Sequence, residues 1–193
     1  LELEFKDGIP VAVDGIYMNI NSLIEYVNKK VGSYGVGIVD HIEDRVIGIK
    51  SREVYEAPAA IAIIEAHKDL EKMVLTKHEL RFKQLVDEQW SWIIYSGLWQ
   101  DPLRTDLDRF IDATQTKVSG KVKLKMREGS LCAVGRESIY SLYKNDIATY
   151  SAGSNFDQGL AKGFVELWGL QSIIANAVAI EGKFDQNVGR NSR

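Results

Sequence analysis

The sequence predicts an α+β fold with a largely antiparallel sheet packed with helices. Three observations carry that expectation. Residues 1–5, "LELEF", and residues 121–127, "KVKLKMR", alternate apolar and charged side chains at period two, the pattern of half-buried strands. From Pro58 the apolar spacing changes: Ile63, His67, Leu70 and Val74 recur at helical intervals. The order of strands, then helices, then a hairpin, then a helix lacks the regular βαβ alternation of a doubly wound sheet.

Each element has a local reason. "LELEF" and "VAV" read as short strands joined by a turn at "KDGIP". Asn21 or Ser22 is placed to cap a helix through "LIEYVNKKVGSYG", with Leu23, Ile24 and Val27 on one face and Gly32 or Gly35 at its end. "VGIVD" and "RVIGIK" read as strands, with Asp40 to Arg45 between them. Pro58 suits the first turn of the next helix. Thr76 with Glu79 three residues on is a capping-box pattern, opening a helix that carries Phe82, Leu85, Val86, Trp92 and Ile93 inward and ends at Gly97. Asp101 caps a third helix with Pro102 in its first turn. "EGS" at 128–130 turns "KVKLKMR" into "LCAV", the clearest hairpin signal in the chain. A last helical stretch runs from about Asp157 toward Ala179, and "EGKFDQNVGRNSR" reads as a loose tail.

Composition bounds the function. The chain has 193 residues, 45% apolar and 26% charged, enough for one good core. A net charge of −3 and a pI near 5.7 give no global pull toward nucleic acid or an anionic membrane. The single Cys132 excludes an internal disulfide and fits a reducing compartment. No signal peptide is read at the start, and no apolar run is read as long enough to span a bilayer. The chain starts at Leu1 rather than Met, so it is read as part of something longer or as a processed chain.

Most candidate chemistry has a plain structural reading. The cations Lys121, Lys123, Lys125 and Arg127 form one side of a strand, without interleaved aromatics, and read as a solvated face rather than a nucleic-acid site. His41, His67 and His78 show no metal-ligand spacing; His67 and Glu71, four apart, read as a helix-surface pair. "GVG" at 35–37 lacks the third glycine and the following helix of a dinucleotide fingerprint, and no P-loop occurs. Cys132 reads as a small buried hydrophobe, Ser138 and Ser141 as turn residues. Trp92 and Trp99, seven apart, read as core.

"EDRVIGIKSREVYEAP", residues 43–58, resists so plain an account, because it mixes β-branched residues with many hydrogen-bonding groups. If "RVIGI" is a strand, Glu43 and Tyr55 stand at opposite ends of one structured unit. A carboxylate that only accepts and a phenol that donates and accepts suit a zwitterionic, amide-like ligand. The competing reading, preferred on the residues alone, is an Arg52–Glu ion pair that staples a loop to a helix start.

"IEDRVIGIKSREVYEAPAA" strongly resembles the core signature of the argininosuccinate synthase family. "YGVG" with Asp40, "AHKDLE", "LRFKQ", "YSGLWQDPL", "VSGKVKLK", "GRESIYSLY", "IATY" and "FDQGLAKGF" resemble the same family in the same order. The resemblance implies an ATP-dependent ligase that joins citrulline to aspartate through a citrullyl-adenylate, releasing AMP and pyrophosphate. It implies a cytoplasmic homotetramer in arginine biosynthesis, built from an N-terminal nucleotide-binding domain and a C-terminal synthetase domain. Only the second domain is resembled here. ATP with Mg is expected to bind mainly to the N-terminal domain, whose Ser-Gly-Gly loop this chain lacks.

Carried over onto this sequence, residues 1–170 form the citrulline-binding synthetase domain and residues 171–193 a C-terminal helix and arm for oligomer contacts. The family's citrulline contacts fall on Glu43 and Tyr55. No residue here is assigned as catalytic or as a metal ligand. One departure stands out: the family usually has Arg after "GVG", and this chain has Ile38, which removes a cation near Asp40. A non-catalytic binding or oligomerisation module that keeps the synthetase fold is the alternative function.

Overall fold

A computed structural model describes residues 1–148, 157 and 159–190. It is α+β, as expected, and divides into two compact units, Leu1–Tyr143 and Lys144–Arg193. In the first unit the chain forms β1 (Glu2–Lys6), β2 (Ile9–Val13), β3 (Ile16–Tyr17), α1 (Ile20–Gly32), β4 (Ile38–Asp44) and β5 (Lys50–Glu56). It continues through α2 (Pro58–Val74), α3 (Lys77–Tyr95), α4 (Pro102–Gln115), β6 (Gly120–Arg127) and β7 (Ser130–Glu137). The second unit holds α5 (Asn145–Ala148), α6 (Gly159–Trp168) and α7 (Leu170–Arg190).

Strands β3-β2-β1-β6-β7 make a five-stranded antiparallel sheet, and β4 and β5 pair only with each other. Asp7-Gly8 joins β1 to β2 and Asp14-Gly15 joins β2 to β3; both aspartates take positive φ, the conformation a two-residue hairpin turn needs. In β1 the period-two alternation sends Leu3 and Phe5 inward, and Val122 stands directly beside Leu3 on β6. These residues pack with Leu23, Val27 and Val31 of α1 and Ala62, Ala66 and Leu70 of α2 in one core. The other sheet face is charged. Glu4 and Glu2 lie 3.7 and 3.8 Å from Lys121 and Lys123, so the cationic stripe is a solvated face paired with β1.

Several local expectations shift. The α1 cap is Asn19, whose Oδ1 accepts from the Ser22 backbone N–H, two residues before the expected position. Thr76 and Glu79 do form the reciprocal capping box, and Asp101 does cap α4. On α3, Val86 and Ile93 are buried, but Phe82, Leu85 and Trp92 are exposed, as is Trp99 beyond the helix end. Seven-residue spacing placed them on one face; α2 and α4 cover only part of it. Cys132 is exposed rather than buried, because it shares the outer face of β7 with Val134, opposite Lys125. Ser138 and Ser141 serve turns, as read: their hydroxyls accept from Tyr140 N–H and Tyr143 N–H.

In the second unit, α7 runs on to Arg190 through most of the segment read as a loose tail; residues 191–193 lie outside the described ones. So do Thr149, Tyr150, Phe156 and Gln158 of the "IATY" and "FDQGLAKGF" motifs. The stretch Gly159–Ile180, 22 residues, is long and apolar enough by composition to cross a membrane, which corrects the expectation that no run approaches that length. Its apolar side chains, among them Phe164, Trp168, Ile173 and Val178, are exposed within this chain.

Candidate functional site

The segment from Ile38 to Glu56 forms a separate two-stranded hairpin, and no residue in it is buried. Its register pairs Val39 with Tyr55, His41 with Glu53 and Glu43 with Ser51. The strands are therefore the polar segments "IVDHIED" and "KSREVYE". "RVIGIK", expected as a strand, supplies the turn: Gly48 N–H donates to Arg45 O at 2.8 Å, Arg45 N–H donates to Ile49 O at 2.9 Å, and Gly48 sits at φ +83°. Strand preference of β-branched residues depends on cross-strand packing, which Val46, Ile47 and Ile49 lack at an exposed tip. Glycine at 48 and charge pairs on both faces fix the turn at residues 45–49, later in the chain than the expected link from Asp40 to Arg45.

The base of the hairpin is clamped. Ala57 N–H donates to Gly37 O at 2.8 Å, just before α2 begins. Gly37 has φ +110°, and a Cβ there would stand 2.5 Å from the Pro58 backbone N and Cα. Only glycine permits both that conformation and that approach. At the far end of β4, the Tyr95 hydroxyl from the end of α3 donates to Asp44 O at 3.1 Å.

Alternation gives the hairpin two faces. One carries Asp40, Asp44, Lys50 and Arg52. The Arg52 guanidinium grips Asp40 through two bonds of 2.8 and 2.5 Å, and Lys50 binds Asp44 at 2.6 Å. Arg52 thus pairs across the strands with Asp40, not with a following glutamate. The Asp40 carboxyl is held below the usual carboxylate range chiefly by that guanidinium. Ile38, at the position where the resemblance implies Arg, is exposed, and Asp40 has a cationic partner in Arg52.

The other face carries His41, Glu43, Ser51, Glu53 and Tyr55. The Tyr55 hydroxyl donates to Glu43 Oε2 at 3.1 Å, so the hairpin brings together the two residues the sequence singled out. They do not stand at opposite ends of one unit: four-residue offsets on paired strands put them on one surface. The Tyr55 phenol is pushed above its ordinary range by desolvation first, then by the hydrogen bond and charge of Glu43. It therefore stays a donor through the neutral range. His41 Nε2 lies 3.5 Å from the same Glu43 oxygen, and its ring is 5.6 Å from the Tyr55 ring. Arg45, at the turn, donates to Ser51 Oγ at 3.2 Å and Glu53 Oε1 at 3.1 Å. That bond to Arg45, and next the one to Ser51, hold Glu53 below the carboxylate range. His41 and Arg45 escaped sequence reasoning, although His41 stands two residues before Glu43 and so on its face.

A second polar cluster lies between α2, α3 and α4. Glu71 and Lys83, 5% and 6% exposed, form a 3.0 Å ion pair, and Lys83 also donates to Asp87 at 2.7 Å. Gln115 donates through Nε2 to Glu71 at 2.9 Å, and its Oε1 accepts from His67 Nε2 at 2.7 Å. Desolvation pulls the Lys83 ammonium down, but its bonds to Asp87 and Glu71 leave it raised overall. His67 and Glu71 do form the expected pair four residues apart, at 3.8 Å, but α3 and α4 close over Glu71 and leave His67 half-buried, so the pair joins this network and does not lie on an open helix surface. Its members satisfy one another, so it reads as structural. Among the described residues, no group of three His, Cys, Asp or Glu side chains is placed to hold a metal ion.

Comparison with known proteins follows the same lines as the motifs. A family model described as the arginosuccinate synthase C-terminal domain matches residues 1–175. A protein of Pyrococcus furiosus named argininosuccinate synthase is 52% identical over 171 residues, covering 89% of this chain and 42% of the relative. One of Dehalococcoides mccartyi with the same name is 54% identical over 172 residues, with the same two coverages. One of Saccharolobus solfataricus, also so named, is 48% identical over 178 residues, covering 92% of this chain and 46% of the relative. The chain thus spans less than half the length of the curated relatives it matches. On the match to residues 1–175 and the identity to these relatives, the chain belongs to the argininosuccinate synthase family and corresponds to its C-terminal domain.

Proposed function

We propose that this chain is the citrulline-holding part of an ATP-dependent carbon–nitrogen ligase that joins citrulline and aspartate into argininosuccinate. One observation carries the site: Tyr55 and Glu43 meet on an exposed hairpin face at 3.1 Å, using only one oxygen of the carboxylate. Among the described residues Glu43 Oε1 accepts no hydrogen bond. It is available to ammonium or amide N–H donors of an amino acid, while the phenol oxygen is free to accept. A face built from such paired groups discriminates against ligands that lack the matching donors.

In the reaction, the citrulline ureido oxygen attacks the α-phosphate of ATP and expels pyrophosphate, and the aspartate amine then attacks the activated ureido carbon and displaces AMP. The part of this chain's residues is to bind and orient citrulline, since such chemistry depends on positioning and charge stabilisation. ATP with its magnesium, and aspartate, are assigned to the N-terminal nucleotide-binding part of the relatives' length. The described residues form no glycine-rich phosphate cradle to which either would be assigned here.

The partners proposed are that nucleotide-binding domain and further copies of this chain in a cytoplasmic homotetramer. The exposed apolar side chains of α6 and α7 suit subunit contacts. Lys162, Glu166 and the break at Gly169 favour that over a membrane span. The alternative, a non-catalytic assembly module with the same fold, has only those exposed helices in its favour.

The test is citrulline kinetics in a full-length enzyme carrying this domain. Glu43→Ala and Tyr55→Phe are each expected to raise the KM for citrulline. Loss of a hydrogen bond to a charged group, about 2 kcal/mol, corresponds to roughly thirtyfold. Unchanged citrulline KM in both variants would remove the site assignment. A normal fold and oligomer with no ligase activity in the unmodified protein would favour the assembly module.

A further inference from the structure

We infer that His41 is a positioning residue of the Glu43–Tyr55 site, and that its protonation weakens the site's hold on citrulline. The inference rests on the assignment of citrulline to that hairpin face. It starts from the convergence of two groups on one atom. Glu43 Oε2 receives the Tyr55 O–H at 3.1 Å and has His41 Nε2 at 3.5 Å, the outer edge of hydrogen-bond reach. The imidazole and phenol rings stand 5.6 Å apart, tilted at 45°. Together they hold the carboxylate through Oε2 and leave Oε1 without a hydrogen-bond donor among the described residues.

The surroundings single out Glu43 as the carboxylate that His41 serves. Glu53, directly across the strands from His41, is already taken by Arg45 and Ser51. Asp40, next in sequence, is gripped by Arg52 on the opposite face. The remaining titratable groups near this face are the phenol of Tyr55, pushed above its ordinary range, and, from the end of α3, that of Tyr95, whose hydroxyl donates to Asp44 O. The charge of His41 also reaches Glu53 and Asp40, but each of those carboxylates already has an arginine partner, whereas Glu43 has none among the described residues.

Neutral His41 limits the motion of the carboxylate and leaves its charge intact. Imidazolium shortens its contact to Oε2 into a charge-assisted bond, neutralises Glu43 locally and adds a repulsive cation beside any ammonium group of the ligand. Binding, and not the chemical steps, carries the effect.

The experiment measures KM and kcat for citrulline from pH 8 to pH 5.5 in the full-length enzyme and in its His41→Gln variant. Glutamine keeps a hydrogen-bonding side chain and does not titrate. Histidine is the side chain type that changes charge across this range, so the KM of the unmodified enzyme is expected to rise several-fold between pH 8 and pH 5.5. His41→Gln is expected to remove that rise while the pH dependence of kcat, set elsewhere, stays common to both. An equal rise in the variant, or no rise in the unmodified enzyme, would overturn the role of His41. Glu43→Ala and Tyr55→Phe at pH 8 separate the two levels. If they raise KM while His41→Gln changes no pH profile, the site stands and the histidine's role falls. If they leave KM unchanged, the citrulline assignment fails as well.

Discussion

The five-stranded sheet and the β4–β5 hairpin are both antiparallel and both alternate at period two, yet they do opposite things with that alternation. In the sheet one face is apolar and closes on α1 and α2, so Leu3, Phe5 and Val122 disappear from solvent. In the hairpin neither face closes on anything. Ile42, Val54 and Tyr55 remain exposed, and the strands are tied by Arg52–Asp40, Lys50–Asp44 and Arg45–Glu53. A two-stranded ribbon is marginal by itself in water, and exposed ion pairs add little. This one is anchored at its base through Gly37 and along its edge through Tyr95. Burial and exposed polar pairing therefore sit in different parts of the unit: the sheet and helices hold the fold, and the hairpin keeps its polar side chains at the surface, where the proposed citrulline contacts would be made.

That division is open to direct challenge. The largest effect is expected at the buried ion pair among the helices. Lys83→Met leaves Glu71 buried without its cation and should lower unfolding free energy by about 4 kcal/mol in denaturant titration. A loss below about 1 kcal/mol would mean that the helices tolerate an unpaired buried carboxylate and that the network is not what joins them.

Next comes a matched pair. Leu70→Ala, in the core under the sheet, should cost about 3 kcal/mol, whereas Ile47→Ser at the hairpin tip should stay within about 0.5 kcal/mol. Comparable losses at the two positions would break the contrast, because they would show the tip packed in the folded chain.

The smallest effect is a pH dependence at the edge of the sheet. Desolvation raises the Asp14 carboxyl, but the Lys30 hydrogen bond, the Glu2 N–H and the Lys30 charge outweigh it and hold its pKa below 3.8. A depressed carboxyl contributes stability that is fully present above about pH 3.8 and is lost as pH falls through the folded value. Asp14→Asn should therefore flatten the acid limb of the stability curve below pH 4 slightly. An unchanged acid limb would show that the Lys30–Asp14 bridge, one-third exposed at each end, contributes nothing.

Legibility followed the range of the interaction. The Thr76–Glu79 capping box, Asp101 and Pro102 at the start of α4, and the β6–β7 hairpin could be read because each is decided within a few residues. Glu43 and Tyr55 were legible only through family resemblance; their composition alone left an ion-pair reading in front. The register that joins them was not legible. "RVIGIK" has the composition of a strand, and its assignment to the turn depends on the cross-strand pairing of "IVDHIED" with "KSREVYE", tied by Asp44–Lys50 directly and Asp40–Arg52 diagonally. His67 and Glu71 show the same limit: four-residue spacing placed them on one helix face, and nothing local said that α3 and α4 would bury it.

By itself, then, the sequence determined most element types, the caps of α3 and α4, the Asp7-Gly8 turn and the family. These rest on backbone propensity, on hydrogen bonds a few residues long and on the order of motifs along the chain. Tertiary structure alone decided which periodic faces were covered, exposing Trp92, Trp99 and Cys132 while burying Glu71 and Lys83. It also decided which hairpin residues meet His41. Burial and strand register are properties of partners distant in sequence, and only packing selects among the partners that local pattern permits.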